Sequence, residues 1–461
     1  MESNGRVESD LLGEIAFSDD CLYGIATERA IQCSSMGAPK IPGVFFKNLG
    51  KLKLACALAN QRLGLLSAEK ATAIAEAAEM LCCEKIPSVA FPVEIFQTGG
   101  CTPMNMNVNE VIRQIAAHKR PKVKLHANDD CNLGQSTNDL IPSTLNMTLR
   151  ELALEQLIPA LQTVLDVLQE KECAWANITI LGRTHTMDAV LMKLGQVFSG
   201  YKRQVEKNIE NITYGLEHFL ELPMGGTAVG SGCNTHPDFG KTVIKILNER
   251  WNTHYVVSKN RFEQQSSRDD YVYFAGLLDT LATTFIKLAN DIRWYGSGPA
   301  GGLNELIIPA TQAGSSCMPG KVNPVVCETL LQVCIYVQGY CDMVRRCAVI
   351  GGQFQLNTTS ALLIYALIES IQIFAKALNL FCEKLLRGLQ PNEANIRKHV
   401  QNSYALLNNL APKIGYDMVA TMVQEAQKSG CDWKSILEKH GIELDKGVFT
   451  KNPSSLYALN P

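Results

Sequence analysis

Long stretches of apolar residues at helical spacing dominate the middle of the chain. Apolar positions recur three and four residues apart, which is the period of one helix face. Five such stretches exceed the typical length of a globular helix. They are residues 143–172, 192–222 and 268–296, and the runs that follow Pro324 and Ser360. Because long helices side by side form a bundle, the pattern predicts an all-α (mainly α) fold.

Several of these stretches are apolar on more than one face, as in "LLDTLATTFIKLANDI" at 277–292. A helix that is apolar nearly all round must be covered on all sides. We therefore expect the bundle to pack against copies of itself as a homo-oligomer. The flanking segments are shorter and more polar, so three domains are predicted: a mixed helical domain at 1–140, the bundle at 141–390, and a small helical domain at 391–461.

Charge and cysteine content narrow the class of protein. The formal net charge of −2 over 461 residues gives no reason to expect a nucleic-acid partner. The sixteen cysteines include no CxxC pair, and the polar start is not a secretory signal, so reduced thiols and a cytoplasmic location are predicted. The uncharged stretch from Cys347 to Ile368 has the length of a membrane span, but its Gly, Gln, Asn and Thr content argues against one.

Polar residues gather in four islands between the long helices, at residues 98–107, 134–139, 182–188 and 312–324. They supply hydroxyls, amides, one histidine and one lysine, which suits a small anion that carries carboxylates. No metal-ligand cluster or phosphate loop occurs, so neither a metal nor a cofactor is expected. Singly, each island has a structural explanation, such as a helix cap, a turn or a surface loop. Their combination favours a binding site.

The stretch "GSSCMPGKVNP" at 314–324 resembles the GSSxMPxKxNP motif of the fumarase/aspartase superfamily. The resemblance continues in order through "MNMNVNEV", "GQSTND", "GRTHTMDAV", "GGTAVGSG" and "LANDIRWYGSGP". Members of that family are homotetramers whose active sites each combine segments of three subunits. The resemblance therefore implies a three-domain lyase in which the central bundles assemble into a tetrameric helical core with shared active sites.

The family's reaction removes a proton from the carbon next to the one that carries an amine or hydroxyl, and yields fumarate. One substrate carboxylate then carries a second negative charge, so fixed hydrogen-bond donors must surround it. By resemblance, Ser315 is the base and acts as an alkoxide that backbone N–H groups stabilise. Ser316 is implied to hold the developing charge.

The resemblance also assigns the remaining candidate residues. Lys321 and Asn323, with Thr184, match the residues that bind the other carboxylate. Another group matches the positions that line the leaving group and the activated carboxylate: Thr102, Ser136, Thr137, Asn138 and His185. His185 is implied to pair with Glu328, the acid that follows the motif, which would hold its orientation and protonation.

The leaving group is predicted from the first island. Gly100 stands where fumarases usually carry serine and aspartases a small apolar residue, which favours elimination of ammonia from L-aspartate. One alternative is a class II fumarate hydratase, which "LANDIRWYGSGP" and "GGTAVGSG" resemble more closely. Another is a lyase of a substituted aspartate, because Cys101, Pro103, Met104 and Ala300 depart from the family's pattern. A non-catalytic structural protein is a further class, against which the intact motif argues.

Overall fold

The structure is a computed structural model that describes residues 5–408 and 410–442, so the end of the predicted domain at 391–461 lies outside the described residues. Helices form most of the described chain. In chain order they are α1 (Ile25–Ser34), α2 (Gly43–Arg62), α3 (Ala68–Cys82), α4 (Thr102–Lys119), α5 (Thr137–Leu152), α6 (Ile158–Ala174), α7 (Leu194–Gly215), α8 (Phe239–Trp251), α9 (Arg261–Ser266), α10 (Asp269–Tyr295), α11 (Val325–Gly351), α12 (Ser360–Phe381), α13 (Glu393–Asn402), α14 (Ala405–Asn408), α15 (Ala411–Ile414), α16 (Tyr416–Ser429) and α17 (Trp433–Lys439).

Strands are short and occur only in pairs among the described residues. They are β1 (Arg6–Asp10), β2 (Gly13–Phe17), β3 (Thr179–Thr184), β4 (Met187–Lys193), β5 (Glu221–Leu222), β6 (Val256–Val257), β7 (Leu306–Ile307), β8 (Gly352–Gln353), β9 (Leu356–Asn357) and β10 (Gln390–Pro391). The pairs are β1–β2, β3–β4, β5–β6, β7–β10 and β8–β9. The β5–β6 pair is parallel and the others are antiparallel.

The mainly α prediction is confirmed. The stretch at 143–172 lies in α5 and α6, joined by a π-helical turn at Ala153–Leu157. The stretches at 268–296 and after Pro324 and Ser360 form α10, α11 and α12. The stretch at 192–222 differs at its start, because Met192 and Lys193 pair with β3 as the end of β4.

Contacts divide the chain into two compact units. The first comprises Met1–Pro159, Asn208–Ala282 and Val333–Lys376, and the second comprises Ala160–Lys207, Thr283–Gln332 and Ala377–Pro461. In the first unit, α2 packs against α3, α5 and α8. Helix α2 is therefore buried on most sides, and Leu49, Leu52 and Cys56 are fully enclosed. The division into three domains stays a prediction.

The second unit carries the long β3–β4 hairpin, against which α13 packs along β3. Leu191 of β4 packs on an apolar cluster that includes Met422 of α16 and Trp433 of α17. The hairpin is thus anchored along its length by helices of the C-terminal part of the chain.

The uncharged stretch from Cys347 to Ile368 is not one helix, because α11 ends at Gly351 and the β8–β9 hairpin follows. Two helical segments in the described chain, Asp269–Tyr295 and Ser360–Leu386, are long and apolar enough to cross a membrane, and the second includes the end of this stretch. Their most apolar windows are 50% and 67% buried within the chain. Core helices of water-soluble proteins meet the same test, so length and composition alone are weak evidence for a membrane span.

Candidate active site

The residues predicted to form the site fall into two groups, one in each unit. The first unit holds Thr102, Ser136, Thr137 and Asn138, and the second holds Thr184, His185, Ser315, Ser316, Lys321, Asn323 and Glu328. Within the first unit, the structure brings together the loop before α4 and the N-terminus of α5.

The N-terminus of α5 is closed by a capping box. Ser136 is the N-cap, and its Oγ accepts a hydrogen bond of 3.2 Å from the N–H of Asn138. The Asp139 carboxylate in turn accepts one of 2.9 Å from the N–H of Ser136. This arrangement satisfies donors that a helix start leaves unpaired. Ser136 therefore has the structural role of a cap, and Thr137 and Asn138 form the first turn of the helix.

Asp139 is fully enclosed and also accepts hydrogen bonds from the N–H groups of Gly225 (3.1 Å) and Thr227 (2.9 Å). Burial raises the pKa of its carboxyl to about 6, because the interior disfavours the charged form more than these donors favour it. Asn138 Nδ2 donates to the carbonyl of Ala228 at 2.8 Å. The "GGTAVGSG" segment is thereby tied to the α5 N-terminus. Sequence reasoning did not single out Asp139, although its position three residues after Ser136 marks a capping box.

The loop before α4 passes close to this helix start. A Cβ placed on Gly100 would lie 3.6 Å from Asn138 Oδ1 and 3.6 Å from a methyl group of Leu356. Cys101 is buried and left-handed at φ 66°, a conformation that costs a residue with a side chain free energy. Thr102 begins α4, where its side chain is exposed. Gly99, two residues before Cys101, packs against the backbone of Thr358.

In the second unit, Thr184 and His185 lie at the tip of the β3–β4 hairpin. Thr184 pairs with Met187, so His185 and Thr186 form a two-residue turn. Both turn residues are left-handed, with φ values of 54° and 63°, as the tight hairpin turns of twisted strands require. Such turns normally use glycine or asparagine at these two positions. The two turn residues and the Thr184–Met187 pair that flanks them are all exposed. The hairpin therefore presents the His185 imidazole at an exposed end of the unit.

Ser315 lies in a folded loop that we call the serine loop (residues 312–324). Its Oγ accepts hydrogen bonds from the N–H groups of Cys317 (3.3 Å) and Met318 (3.1 Å). Donors aimed at one oxygen stabilise negative charge on it, so the geometry suits the alkoxide that the resemblance implies. The residue also lies 3.8 Å from the Cys317 thiol, measured from Oγ to Sγ.

The serine loop is folded back on itself by two contacts. Asn323 Nδ2 donates a hydrogen bond of 2.5 Å to the carbonyl of Gly314. A Cβ on Gly314 would lie 1.7 Å from the carbonyl oxygen of Lys321, so only glycine fits there. The Lys321 side chain is exposed, and that of Asn323 is half-buried. Asn323 thus has a structural hydrogen bond in the loop in addition to its predicted part in binding.

Glu328 lies in the first turn of α11, where a carboxylate favours the helix start. Within the described part of the single chain, no hydrogen bond joins its carboxylate to the His185 ring. The pairing of these two residues stays a prediction, as do the roles assigned to the other site residues.

Behind the hairpin lies an ion-pair network that sequence reasoning missed. Arg183 donates to both oxygens of Glu305, at 2.7 and 2.8 Å, and the Glu305 carboxylate is 2% exposed. His399 Nδ1 lies 2.8 Å from the same carboxylate, and Asp188 lies 3.7 Å from Arg183 Nε. The network joins β3, the segment before the serine loop, and α13. No local sequence pattern predicts this network, because its residues are far apart in the chain.

All sixteen cysteines are free thiols. In residues 5–408 and 410–442, no group of three or more His, Cys, Asp or Glu side chains is placed to hold a metal ion.

Comparisons with known proteins agree with this architecture. The profile of a family described as "Lyase" matches residues 13–339. The chain is 40% identical to the class II fumarate hydratase of Thermosynechococcus vestitus over 449 residues, 96% of this chain and 95% of the relative. It is 38% identical to the class II fumarate hydratase of Oceanobacillus iheyensis, over 99% of this chain and 98% of the relative.

Among solved structures, the class II fumarase from Schistosoma mansoni has a TM-score of 0.94 and 30% identity, over 99% of this chain and all of the other. A fumarate lyase:delta crystallin from Brucella melitensis, bound to cobalt, has a TM-score of 0.91 and 32% identity, over 97% of each chain. The chain belongs to the fumarase/aspartase superfamily and is a lyase of that type.

Proposed function

We propose that the chain is a class II fumarate hydratase, which interconverts fumarate and L-malate. The observation that carries this proposal is its similarity, over 96% of its length, to a relative of that name. The class II fumarase among the solved structures supports the same assignment. These names favour elimination of water over the elimination of ammonia that Gly100 suggested.

In the direction of fumarate, the reaction begins with the proton on C3 of malate. Ser315, as the alkoxide, takes this proton, and the N–H groups of Cys317 and Met318 stabilise the alkoxide before the transfer. The electron pair of the broken C–H bond moves into the adjacent carboxylate, which then carries a second negative charge. Ser316 and backbone N–H groups are the proposed donors to that charge.

The second step forms the double bond. The electron pair returns from the carboxylate to the carbon skeleton, the C2–O bond breaks, and the hydroxide takes a proton, for which His185 is the proposed donor, and leaves as water. Lys321, Asn323 and Thr184 are the proposed ligands of the other carboxylate. The proposed lining of the leaving-group side is Thr102, Ser136, Thr137, Asn138 and His185, with Glu328 orienting the histidine.

We further infer that the enzyme is a cytoplasmic homotetramer that binds a small dicarboxylate in sites shared between subunits. Apolar side chains exposed on the long helix α11 support this assembly, since Ile335 is 64% and Val349 76% exposed in the single chain. Such residues on a bundle helix are normally covered by another chain.

The decisive experiment follows the near-ultraviolet absorbance of fumarate with the purified chain, with and without ammonium. Loss of absorbance without ammonium, together with formation of malate, is the expected result. Loss only with ammonium would make the enzyme an ammonia-lyase instead. No loss under either condition would overturn both assignments.

The base is tested by Ser315→Ala, which should lower kcat by about 10²- to 10⁴-fold, the usual contribution of a positioned base. Ser429→Ala is the matched control, because Ser429 is exposed at the end of α16 and its hydroxyl bonds to nearby backbone groups, those of Glu425, Ala426 and Cys431. Equal activity of the two variants would remove Ser315 from the mechanism.

A further inference from the structure

A lysine is buried beneath the α5 N-terminus. Lys53 of α2 is 1% exposed, and its Nζ donates hydrogen bonds of 3.0 Å to Asn132 Oδ1 and to Gln135 Oε1. Within the described residues, no carboxylate lies within hydrogen-bonding distance of this ammonium group. A buried charge without a paired opposite charge is costly, so its retention calls for an explanation beyond packing.

Two side-chain amides, those of Asn132 and Asn105, connect the ammonium group to Thr137, which is predicted to contact the substrate. Asn132 Oδ1 accepts a second hydrogen bond, of 3.1 Å, from Asn105 Nδ2. The same Asn105 Nδ2 also donates to Thr137 Oγ1 at 3.3 Å. Because Thr137 Oγ1 accepts from Asn105, its own hydroxyl proton is free to be donated to a substrate oxygen. Lys53 and Asn105 share the acceptor Asn132 Oδ1, so the lysine helps to hold in place the amide that donates to Thr137.

The same lysine holds the turn that leads into α5. Gln135 directly precedes the N-cap Ser136, and its side chain is held by Lys53 at one end and by the Cys131 and Leu133 carbonyls at the other. Asn132 Nδ2 donates to the Gln135 carbonyl at 3.2 Å. A fixed cation behind a helix start adds to the positive potential that the helix itself directs at an anion.

The titratable groups that face Lys53 are Cys56 on α2, Cys131 in the turn, and Asp139 on α5. Burial lowers the pKa of Lys53 to about 8, and these three groups only partly oppose that shift. The lysine therefore changes charge within the pH range where such an enzyme is assayed.

We propose that Lys53 is a positioning residue whose charged ammonium group, acting through Asn132 and Asn105, orients Thr137 and the α5 N-terminus toward a substrate carboxylate. This inference rests on the proposed function for the identity of the substrate. It does not depend on the leaving group, because it concerns only the binding of a dicarboxylate. When Lys53 loses its proton, the dicarboxylate binds more weakly.

The test uses succinate, an unreactive dicarboxylate, and measures its Kd for the full chain by calorimetry at pH 6.5 and pH 9.5. The wild type should bind roughly tenfold more weakly at the higher pH, the scale of one hydrogen bond from a charged group. Lys53→Met should bind weakly at both pH values, and its melting temperature should equal or exceed that of the wild type, because a buried charge is removed. A merely structural lysine would not produce this change in pH dependence. Lys245→Met, at an exposed position on α8, should behave as the wild type.

If Lys53→Met does not fold, Asn105→Ala alone tests the proposal: succinate should bind more weakly than to the wild type at pH 6.5, and the difference between the two pH values should largely disappear, while Lys53 stays in place. If Lys53→Met folds, adding it to Asn105→Ala should have little further effect, because the two residues act in one chain. If the effects of Asn105→Ala and Lys53→Met on the Kd for succinate multiplied in the double variant, the two residues would act independently and the proposal would be wrong. Unchanged succinate binding in Lys53→Met would also overturn it, and so would a wild type that does not bind succinate. If succinate binds as predicted but fumarate is not hydrated, the proposed function fails while the role of Lys53 stands.

Discussion

Arg183 and Glu305 are 122 positions apart in the chain, yet the guanidinium donates hydrogen bonds of 2.7 and 2.8 Å to the two carboxylate oxygens. Arg183 directly precedes Thr184, and Glu305 lies on the segment that leads to the serine loop. His399 adds a third member from α13 at 2.8 Å. The pair therefore anchors the hairpin that presents Thr184 and His185.

Breaking this pair should damage both stability and turnover. Glu305→Gln removes the negative charge from a carboxylate that is 2% exposed and leaves the Arg183 charge largely unpaired. We expect the free energy of unfolding to fall by about 3–5 kcal/mol. Urea denaturation measures the loss, and kcat should fall with it because the hairpin loses its anchor.

The matched control for this variant is Glu393→Gln on α13. Glu393 pairs with Arg397 in an exposed ion pair, which typically contributes less than about 1 kcal/mol. If the two variants had equal stability, the buried network would not be an anchor.

Gly314→Ala tests the folding of the serine loop. The added Cβ would lie 1.7 Å from the Lys321 carbonyl oxygen, so the loop must shift and carry Ser315 with it. A displacement of about 1 Å at a reacting group can cost on the order of 10²-fold in rate, and we expect kcat to fall by that much. The melting temperature should change little, because the loop is largely exposed.

Gly43→Ala, at the exposed start of α2, is the corresponding control, because a Cβ there meets no atom within 4 Å. Steady-state kinetics of both variants against malate make the comparison. A Gly314→Ala enzyme with wild-type kcat would show that the observed loop conformation is not the catalytic one.

Asp139 should make stability depend on pH. Its pKa is raised to about 6 in the folded state from an ordinary 3.8, so the folded chain binds the proton more tightly than the unfolded chain. The stabilisation from the protonated carboxyl is complete below about pH 4 and is lost as the pH rises through 6, by about 3 kcal/mol in total.

Asp139→Asn removes this titration. Urea denaturation of both proteins from pH 4 to pH 7 should show that the difference in unfolding free energy between wild type and variant changes by most of that amount. Asp166→Asn, on α6, serves as the control. A constant difference across the range would contradict the raised pKa of Asp139.

Ile335→Asp tests the assembly. Ile335 is 64% exposed on α11 in the single chain, and a charge there would be buried without a partner in a helical core. We expect the tetramer to dissociate, as light scattering after size-exclusion chromatography would show, and turnover to be lost with the shared sites. Leu11→Asp, at the exposed β1–β2 turn, should leave both unchanged. A stable tetramer in Ile335→Asp would place this face outside the interface.

The sequence predicts those helices and caps that depend only on residues close together in the chain. The apolar stretches correspond to α5–α6, α7, α10, α11 and α12 because helix period and length are properties of consecutive residues. A helix cap is one of the explanations that the sequence offers for a single polar island, and in "GQSTND" Ser136 does cap α5 together with Asp139. The helical spacing predicts a start of α7 that is too early, because pairing with β3, not local spacing, decides the state of Met192 and Lys193.

The chain's own sequence thus determined its helices, its family and the short motifs that carry the candidate site, since each depends on neighbouring residues. Only the tertiary structure decided which distant side chains support those motifs. Lys53 reaches Asn132 across 79 positions, and Arg183 reaches Glu305 across 122. A buried lysine or arginine looks in sequence like any surface cation, because burial and partners are decided by packing between elements and not by the residues beside it.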